Sequence, residues 1–280
     1  MKLDIRPMSR ADLEAALGWA REEGWNPGLD DAVPFYAEDP RGFLMGWLGS
    51  VRVGSISVVR YGERFAFLGL YIVHPAHRGR GYGKALWDAG IASAAGRTIG
   101  LDGVPDQQQN YARSGFALAH RSARWGGVLR GLVATRSYVR PLAMDDLPAL
   151  LAFDSRHVAA PRPKFLAAWL APSATRQTEG FFDAGRLRGY GTIRRCIEGW
   201  KIGPLFAETP AIAEALLATL VTPAGTDKVF IDVPEPNAAG LEMVRRLGFT
   251  AAFETARMYL GPAPALPLSQ IYGVTTLELG

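Results

Sequence analysis

The chain has 280 residues, 48% of them hydrophobic and 21% charged, with a net charge of +4. This is globular composition with length for two domains; one cysteine, Cys196, and four scattered histidines exclude an intrachain disulfide framework and a cysteine- or histidine-spaced metal site. Lys and Arg are spread without a basic aromatic stripe, the N-terminal MKLDIRPMSRADL is charged throughout, and no apolar run approaches about 18 residues, so neither nucleic acid nor membrane is an expected partner and a cytoplasmic protein is expected. Leu3–Pro7 reads as a strand. Ser9 with Asp12 reads as a capping box opening a helix to about Glu23, with Leu13, Leu17 and Ala20 facing inward. A loop at Gly24–Gly28 precedes a short helix near Asp30–Tyr36. Phe43–Leu48 and Val51–Arg60 form a hairpin across Gly49-Ser50. Phe67–Val73 is apolar, β-branched and aromatic, which predicts a central strand ended by His74-Pro75. A helix follows from about Gly81 to a stop at Gly96. Thr98–Val104 is a strand, Pro105–Ser114 a short helix, and a strand runs from Gly115-Phe116 towards Trp125.

The pattern then restarts. Ile5-Arg6-Pro7 is echoed by Val139-Arg140-Pro141, Asp12-Leu13 by Asp146-Leu147, and Gly115-Phe116 by Gly248-Phe249, at nearly one offset. Such matches predict a duplicated domain, with residues 1–132 as the first copy and 133–280 as the second. The second copy predicts helices at Asp145–Phe153 and Arg162–Leu170 and a hairpin at Asp183-Ala184-Gly185. A strand at Lys201–Phe206, a helix at Pro210–Val221, a strand at Lys228–Val233, a helix at Asn237–Leu247 and a strand at Ala251–Leu260 follow. A last strand is predicted near Tyr272–Leu279.

Between the central strand and its helix lie Arg78, Gly79, Arg80, Gly81, Tyr82, Gly83 and Lys84. Glycines let backbone approach a ligand, and the first N–H groups of a helix are unpaired, so this turn suits a phosphate or pyrophosphate. It is not a P-loop, because Arg78 stands where the first glycine belongs and Ala85 follows Lys84. It is not the dinucleotide fingerprint either, because Lys84 takes the third glycine site. A glycine-rich turn with a solvated basic edge is the plain alternative.

Arg78-x-x-Gly81-x-Gly83, preceded by Val73-x-Pro75, resembles the acetyl-CoA loop of the GNAT acetyltransferase superfamily. The resemblance implies an α+β chain of two tandem GNAT folds, each a mixed, largely antiparallel sheet flanked by helices. It further implies acetyl-CoA as co-substrate, held by the amides from Arg78 to Lys84 and by the strand at Tyr71, Ile72 and Val73. Tyr111, four residues before Gly115-Phe116, matches the family's Tyr-x-x-x-Gly-Phe and would protonate the leaving thiolate. A backbone N–H, that of Val73, would be the oxyanion donor. The family's asparagine seven residues before that tyrosine is Val104 here. Its central-strand glutamate is missing, leaving Asp102, Glu63 and Asp106 as base candidates, Asp102 first; a partly neutral amine would need none.

The second copy has Ala207, Glu208, Thr209 and Pro210 in place of the loop, and Val244 in place of the tyrosine, although Asn237 is kept. One CoA per chain is therefore expected, in the first copy, with the second as scaffold and substrate wall. Asp154, His157 and Arg162 read as capping and surface residues. Trp25-Asn26-Pro27 could line an acceptor pocket or cover the core. The expected activity is acetyl transfer to a primary amine of a small-molecule acceptor, by a monomer or homodimer. A tandem acyltransferase similar to mycothiol synthase and a non-catalytic acyl-CoA sensor are the alternatives.

Overall fold

The computed structural model describes residues 2–129, 132 and 137–280. The boundary expected between residues 132 and 133 lies outside the described residues. The first half runs β1 (Asp4–Pro7), α1 (Arg10–Glu22), α2 (Ala32–Glu38), β2 (Phe43–Leu48), β3 (Val51–Tyr61), β4 (Phe65–Val73), α3 (Tyr82–Ser93), β5 (Thr98–Gly103), α4 (Gln108–Arg113) and β6 (Ala117–Val128). The second runs β7 (Val139–Pro141), α5 (Leu147–Asp154), α6 (Pro163–Leu170), β8 (Arg176–Asp183), β9 (Arg186–Arg195), β10 (Trp200–Ala207), α7 (Pro210–Leu220), β11 (Lys228–Pro234), α8 (Ala238–Arg246), β12 (Thr250–Leu260) and β13 (Ile271–Gly273). The capping box at Ser9 forms, with the Asp12 N–H and carboxylate both bonded to Ser9. The last strand is shorter than predicted, because only Ile271–Gly273 finds a ladder partner.

All the described strands join one sheet in the order β1-β2-β3-β4-β5-β12-β6-β11-β10-β9-β8-β7, with β13 added on β10. Only β4/β5 and β10/β11 are parallel, so the sheet is mixed and largely antiparallel. The order is a near-palindrome with one exchange. β12 of the second half pairs with β5 (Ala256 opposite Gly103, Leu260 opposite Ile99). β6 of the first half pairs with β11 (Lys228 opposite Val128, Pro234 opposite Ser122). The two exchanged strands also pair with each other. Each half therefore lends its sixth strand to the other, an arrangement the repeat in the sequence does not announce.

Buried ion pairs lock the exchange. Arg124 on β6 donates to both oxygens of Asp232 on β11 at 2.7 and 2.9 Å. Arg257 on β12 does the same to Asp102 on β5 at 2.7 and 2.8 Å. The largest core cluster also spans the halves, joining Leu13, Phe35, Phe43 and Phe67 to Phe153, Phe165, Trp169 and Phe206. Burying each such ring is worth about 1.5–3 kcal/mol. Asp154, His157 and Arg162 are not surface residues. They are 1%, 2% and 3% exposed. Arg162 pairs bidentately with Asp154 and donates to Thr275 Oγ1, Asp154 also accepts from the Tyr190 hydroxyl, and His157 stacks between Phe153 and Phe206. Asp154, at the end of α5, and Arg162, just before α6, read as solvated because the tyrosine and threonine that bond them come from distant segments.

Candidate active site

A single-turn 3₁₀ helix, Pro75–His77, follows β4 and leads into the glycine loop. Gly79 and Gly81 have φ of 74° and 81°, the left-handed region that disfavours other residues. A Cβ on either would meet nothing within 4 Å, so the constraint is backbone conformation, with open space beside it. Gly81 starts α3 without any side-chain cap, and the first intrahelical bond is from Ala85 N to Gly81 O at 3.2 Å. The N–H groups of Tyr82, Gly83 and Lys84 thus open outward at the positive end of the helix. Gly83 fits for a different reason: a Cβ there would sit 2.9 Å from the Tyr71 hydroxyl, so α3 lies close on β4. The Arg78 guanidinium turns back, donating from Nε to Val73 O at 2.9 Å and from Nη2 to Glu23. Arg80 is exposed, and exposed Lys84 pairs with Asp88.

Strands β4 and β5 pair only from Phe65/Thr98 to Leu68/Leu101. Beyond Leu68 the strands part. A bulge in the β3/β4 ladder lies opposite, with Leu70 at φ 43° and its carbonyl accepting from Ser55 Oγ at 2.7 Å. From Gly69 to Val73, β4 has an open edge. His74 N donates to Val53 O at 3.0 Å. In an antiparallel ladder hydrogen-bonded and non-bonded pairs alternate, so the next pair, Gly54–Val73, is non-bonded and the Val73 N–H faces the open edge. The gap is a cleft of about 430 Å³. Tyr71, Ile72, Val73, Arg78, Asp102 and Tyr111 line it together. Gly79 to Lys84 lie outside its lining, at the adjoining helix start.

Tyr111 projects from α4 and is 8% exposed. Its ring stacks on Trp87 of α3 at 5.3 Å and 12°. A Cβ at Gly103 would approach that ring to 2.8 Å, so β5 needs glycine there for the tyrosine to lie flat. Burial, with a smaller contribution from the Tyr71 phenol, pushes the Tyr111 phenol well above its ordinary value of 10.0. The hydroxyl is protonated at neutral pH, and no described residue hydrogen-bonds to it. Asp102 is also in the lining, but both its oxygens are taken by Arg257. Its place is that of a counter-ion to the guanidinium of the exchanged strand, which removes the first base candidate.

Trp25, expected either to line an acceptor pocket or to cover the core, lines this cleft. Four further lining residues escaped sequence reasoning: Phe253, Thr255, Leu277 and Glu278. Phe253 and Thr255 arrive through strand exchange, and the last two through the C-terminal tail.

The matching place in the second half is closed. There β10 and β11 pair from Trp200/Val229 to Ile202/Ile231, and a bulge follows. The opening is filled by β13, with Leu205 opposite Gly273 and Phe206 opposite Ile271. A Cβ at Gly203 would lie 2.4 Å from Val274 O. Asn237 donates from Nδ2 to Ile271 O at 2.9 Å and accepts from Gly240 N at 2.9 Å. Helix α7 is capped by Thr209, which accepts from Ile212 N at 3.4 Å. Glu208 is held by Arg188 at 2.8 Å, and Val244 is fully buried.

Residues 10–116 match the family profile described as "Acetyltransferase (GNAT) family", and residues 150–273 the one described as "Acetyltransferase (GNAT) domain". A curated relative, the holothin acyltransferase of Pseudoalteromonas sp. (strain SANK 73390), is 32% identical over 98% of this chain and 94% of its own length. A crystal structure of a candidate acetyltransferase from Pyrococcus horikoshii superposes with a TM-score of 0.83 at 20% identity, covering 99% of this chain and 96% of the other. A tandem GNAT protein from the clavulanic acid biosynthesis pathway superposes with a TM-score of 0.65 at 16% identity, covering 94% of this chain and all of the other. These two likenesses concern the fold.

Proposed function

The chain belongs to the GNAT family of acyltransferases as a tandem GNAT protein, and from that premise we propose that its first half moves an acetyl group from acetyl-CoA to a primary amine of a small-molecule acceptor. The carrying observation is that a protonated, unpartnered phenol, Tyr111, lines the same cleft as the open edge of β4, beside the uncapped start of α3. The fit of acetyl-CoA to these residues is supported by three features. The N–H groups of Tyr82, Gly83 and Lys84 suit a pyrophosphate. The edge from Gly69 to Val73 offers backbone partners to an extended amide-bearing arm. Open space beside Gly79 and Gly81 leaves room for phosphates.

Acetyl-CoA supplies an activated carbonyl and a thiol leaving group. In this reading the Val73 N–H, which faces the open edge of β4, meets charge developing on the carbonyl oxygen. Tyr111 holds its proton on the hydroxyl and can deliver it to sulfur. The name of the holothin acyltransferase favours a small molecule over a protein as acceptor. The closed second cleft supports one CoA per chain. The test is CoA release from acetyl-CoA with holothin and with a panel of primary amines, together with titration calorimetry. Turnover with at least one amine and a stoichiometry near one are expected. Two comparable CoA sites, or no turnover with any amine, would overturn the reading.

A further inference from the structure

The tail after β13 leaves the second cleft and reaches the first. A Cβ at Gly69 would lie 2.2 Å from Glu278 O, so the tail rests on β4 where β5 has turned away. It is held on both sides of that point. Tyr61 Oη donates to Leu279 O at 2.9 Å, Arg162 Nη1 to Gly280 O at 3.3 Å, and Leu279 N to Thr276 Oγ1 at 2.9 Å. Glu278 is 3% exposed and lines the cleft, and its Oε1 has no hydrogen-bond partner. Thr255 on the exchanged strand is 2% exposed, lines the same cleft, and has an unpartnered Oγ1. Buried polar atoms are nearly always paired, and an unpaired one that faces a cavity calls for a partner from outside the chain, a water, an ion or a ligand.

Four carboxylates line this cleft, and three are accounted for. Glu23 is tied to Arg78, Asp102 to Arg257, and Asp106 is exposed at the rim. Glu278 alone is buried and makes no ion pair among the described residues. The buried cations whose charges couple to it are Arg124, Arg194 and Lys201. Arg124 is committed to Asp232, Arg194 forms an ion pair with Asp31 and donates to the carbonyls of Gly203 and Thr275, and Lys201 Nζ donates to the carbonyls of Trp25 and Asn26. They supply countercharge without occupying the unpaired oxygen.

We propose that Glu278 is the carboxylate that receives the acceptor amine, orienting it with Thr255 and taking its proton during transfer. This rests on the acyl-transfer reading of the first cleft. In the step, the nitrogen lone pair forms an N–C bond to the thioester carbonyl carbon. The C–S bond breaks with its electron pair on sulfur. The proton shed by nitrogen goes to Glu278 Oε1, and sulfur takes the proton of the Tyr111 hydroxyl. The second half thus contributes a catalytic residue to the first.

The experiment compares the full chain with Glu278→Gln and Glu278→Asp, following CoA release with the primary-amine panel between pH 7 and pH 9.5. Glu278→Gln should lose about 10²-fold in kcat/KM at pH 7. Its acetyl-CoA affinity should stay within about twofold, and the deficit should narrow by up to about tenfold per pH unit as hydroxide takes over the proton that Glu278 would accept. Glu278→Asp shortens the carboxylate and keeps its charge, so it too should lose turnover, and it serves if the glutamine variant does not fold. Wild-type turnover in either variant overturns the proposal, as does a pH-independent deficit accompanied by weakened CoA binding, which is the mark of a packing role. Failure of the unaltered chain with every amine overturns the amine-acceptor reading and this proposal with it. Turnover by the unaltered chain that the variants share overturns this proposal alone.

Discussion

The two clefts of this molecule are built from the same strands in the same order, and they differ in what lies between them. In the first half the gap beyond Leu68 is an open cleft lined by Tyr111 and the free edge of β4. In the second the gap beyond Ile202 is filled by three residues of the chain's own tail. The amide oxygen and nitrogen of Asn237, free in principle to bond a ligand, bond Gly240 and Ile271 instead. The lesson is that a strand of the same chain can satisfy the backbone that a parted pair of strands exposes, which closes one cleft and leaves its counterpart open.

The sharpest way to break the comparison is to unlock the sheet that both clefts share. Asp232→Ala strands Arg124, which is 5% exposed. Removing one partner of such a buried pair costs about 3–5 kcal/mol. Because β6 and β11 belong to different halves, urea unfolding should show both halves losing stability together, in one transition. A second-half transition alone would contradict the interlocked sheet.

The next effect isolates the first cleft. Tyr111→Phe keeps the stack on Trp87 and removes the hydroxyl, so kcat should fall about 10²-fold with acetyl-CoA affinity unchanged. Single-turnover kinetics give the check. Equal rates of the chemical step would remove Tyr111 from the mechanism.

A smaller effect probes the anion end. Gly81→Val forces a β-branched residue to φ 81°, which strains the start of α3 by about 1–2 kcal/mol and misdirects its N–H groups. Calorimetry should show CoA affinity weakened about tenfold or more. Gly185→Val in the second half also sits at positive φ, 76°, and should leave CoA affinity untouched.

The smallest effects are in pH. Burial raises the Tyr111 phenol above 10.0, so turnover should show no alkaline loss from this group up to pH 10. Acid acts on the fold. Burial, aided by the Arg257 charge, pushes His120 from 6.5 down to about 4. The folded chain refuses a proton that the unfolded chain accepts below pH 6.5, so stability should decline between pH 6.5 and about 4. His120→Gln should flatten the thermal melting profile over that window.

What the sequence disclosed about this molecule was local. The glycine loop, Tyr111 and the β4 strand lie within a short stretch, and each carries its own chemistry in its residue types. The helices and strands were legible for the same reason, since capping residues and apolar periodicity act over a few positions. Partner choice was not legible. Nothing in Ala117–Val128 distinguishes pairing with β11 from pairing with β5, because both edges offer the same backbone groups and β-rich neighbours. Glu278 sits in a tail that reads as a last strand, and its nearness to Gly69 exists only after the whole chain has folded. Asp102 looked free for the same reason, its partner Arg257 being far along the chain.

The exchange of β6 and β12 also bears on how the molecule is made. On the ribosome, β5 emerges long before β12, at about 5–20 residues per second. For on the order of ten seconds its outer edge waits without a partner, and an unpaired edge is a template for pairing with a neighbouring nascent chain. The first half cannot finish early and shelter itself, since its last strand belongs beside β11, which is not yet synthesised. The first cleft, walled by Thr255 and Glu278, is complete only once residues 255 and 278 have left the exit tunnel. Expression that is slow or truncated should therefore yield aggregated protein without activity, with no half-sized acyltransferase to be recovered.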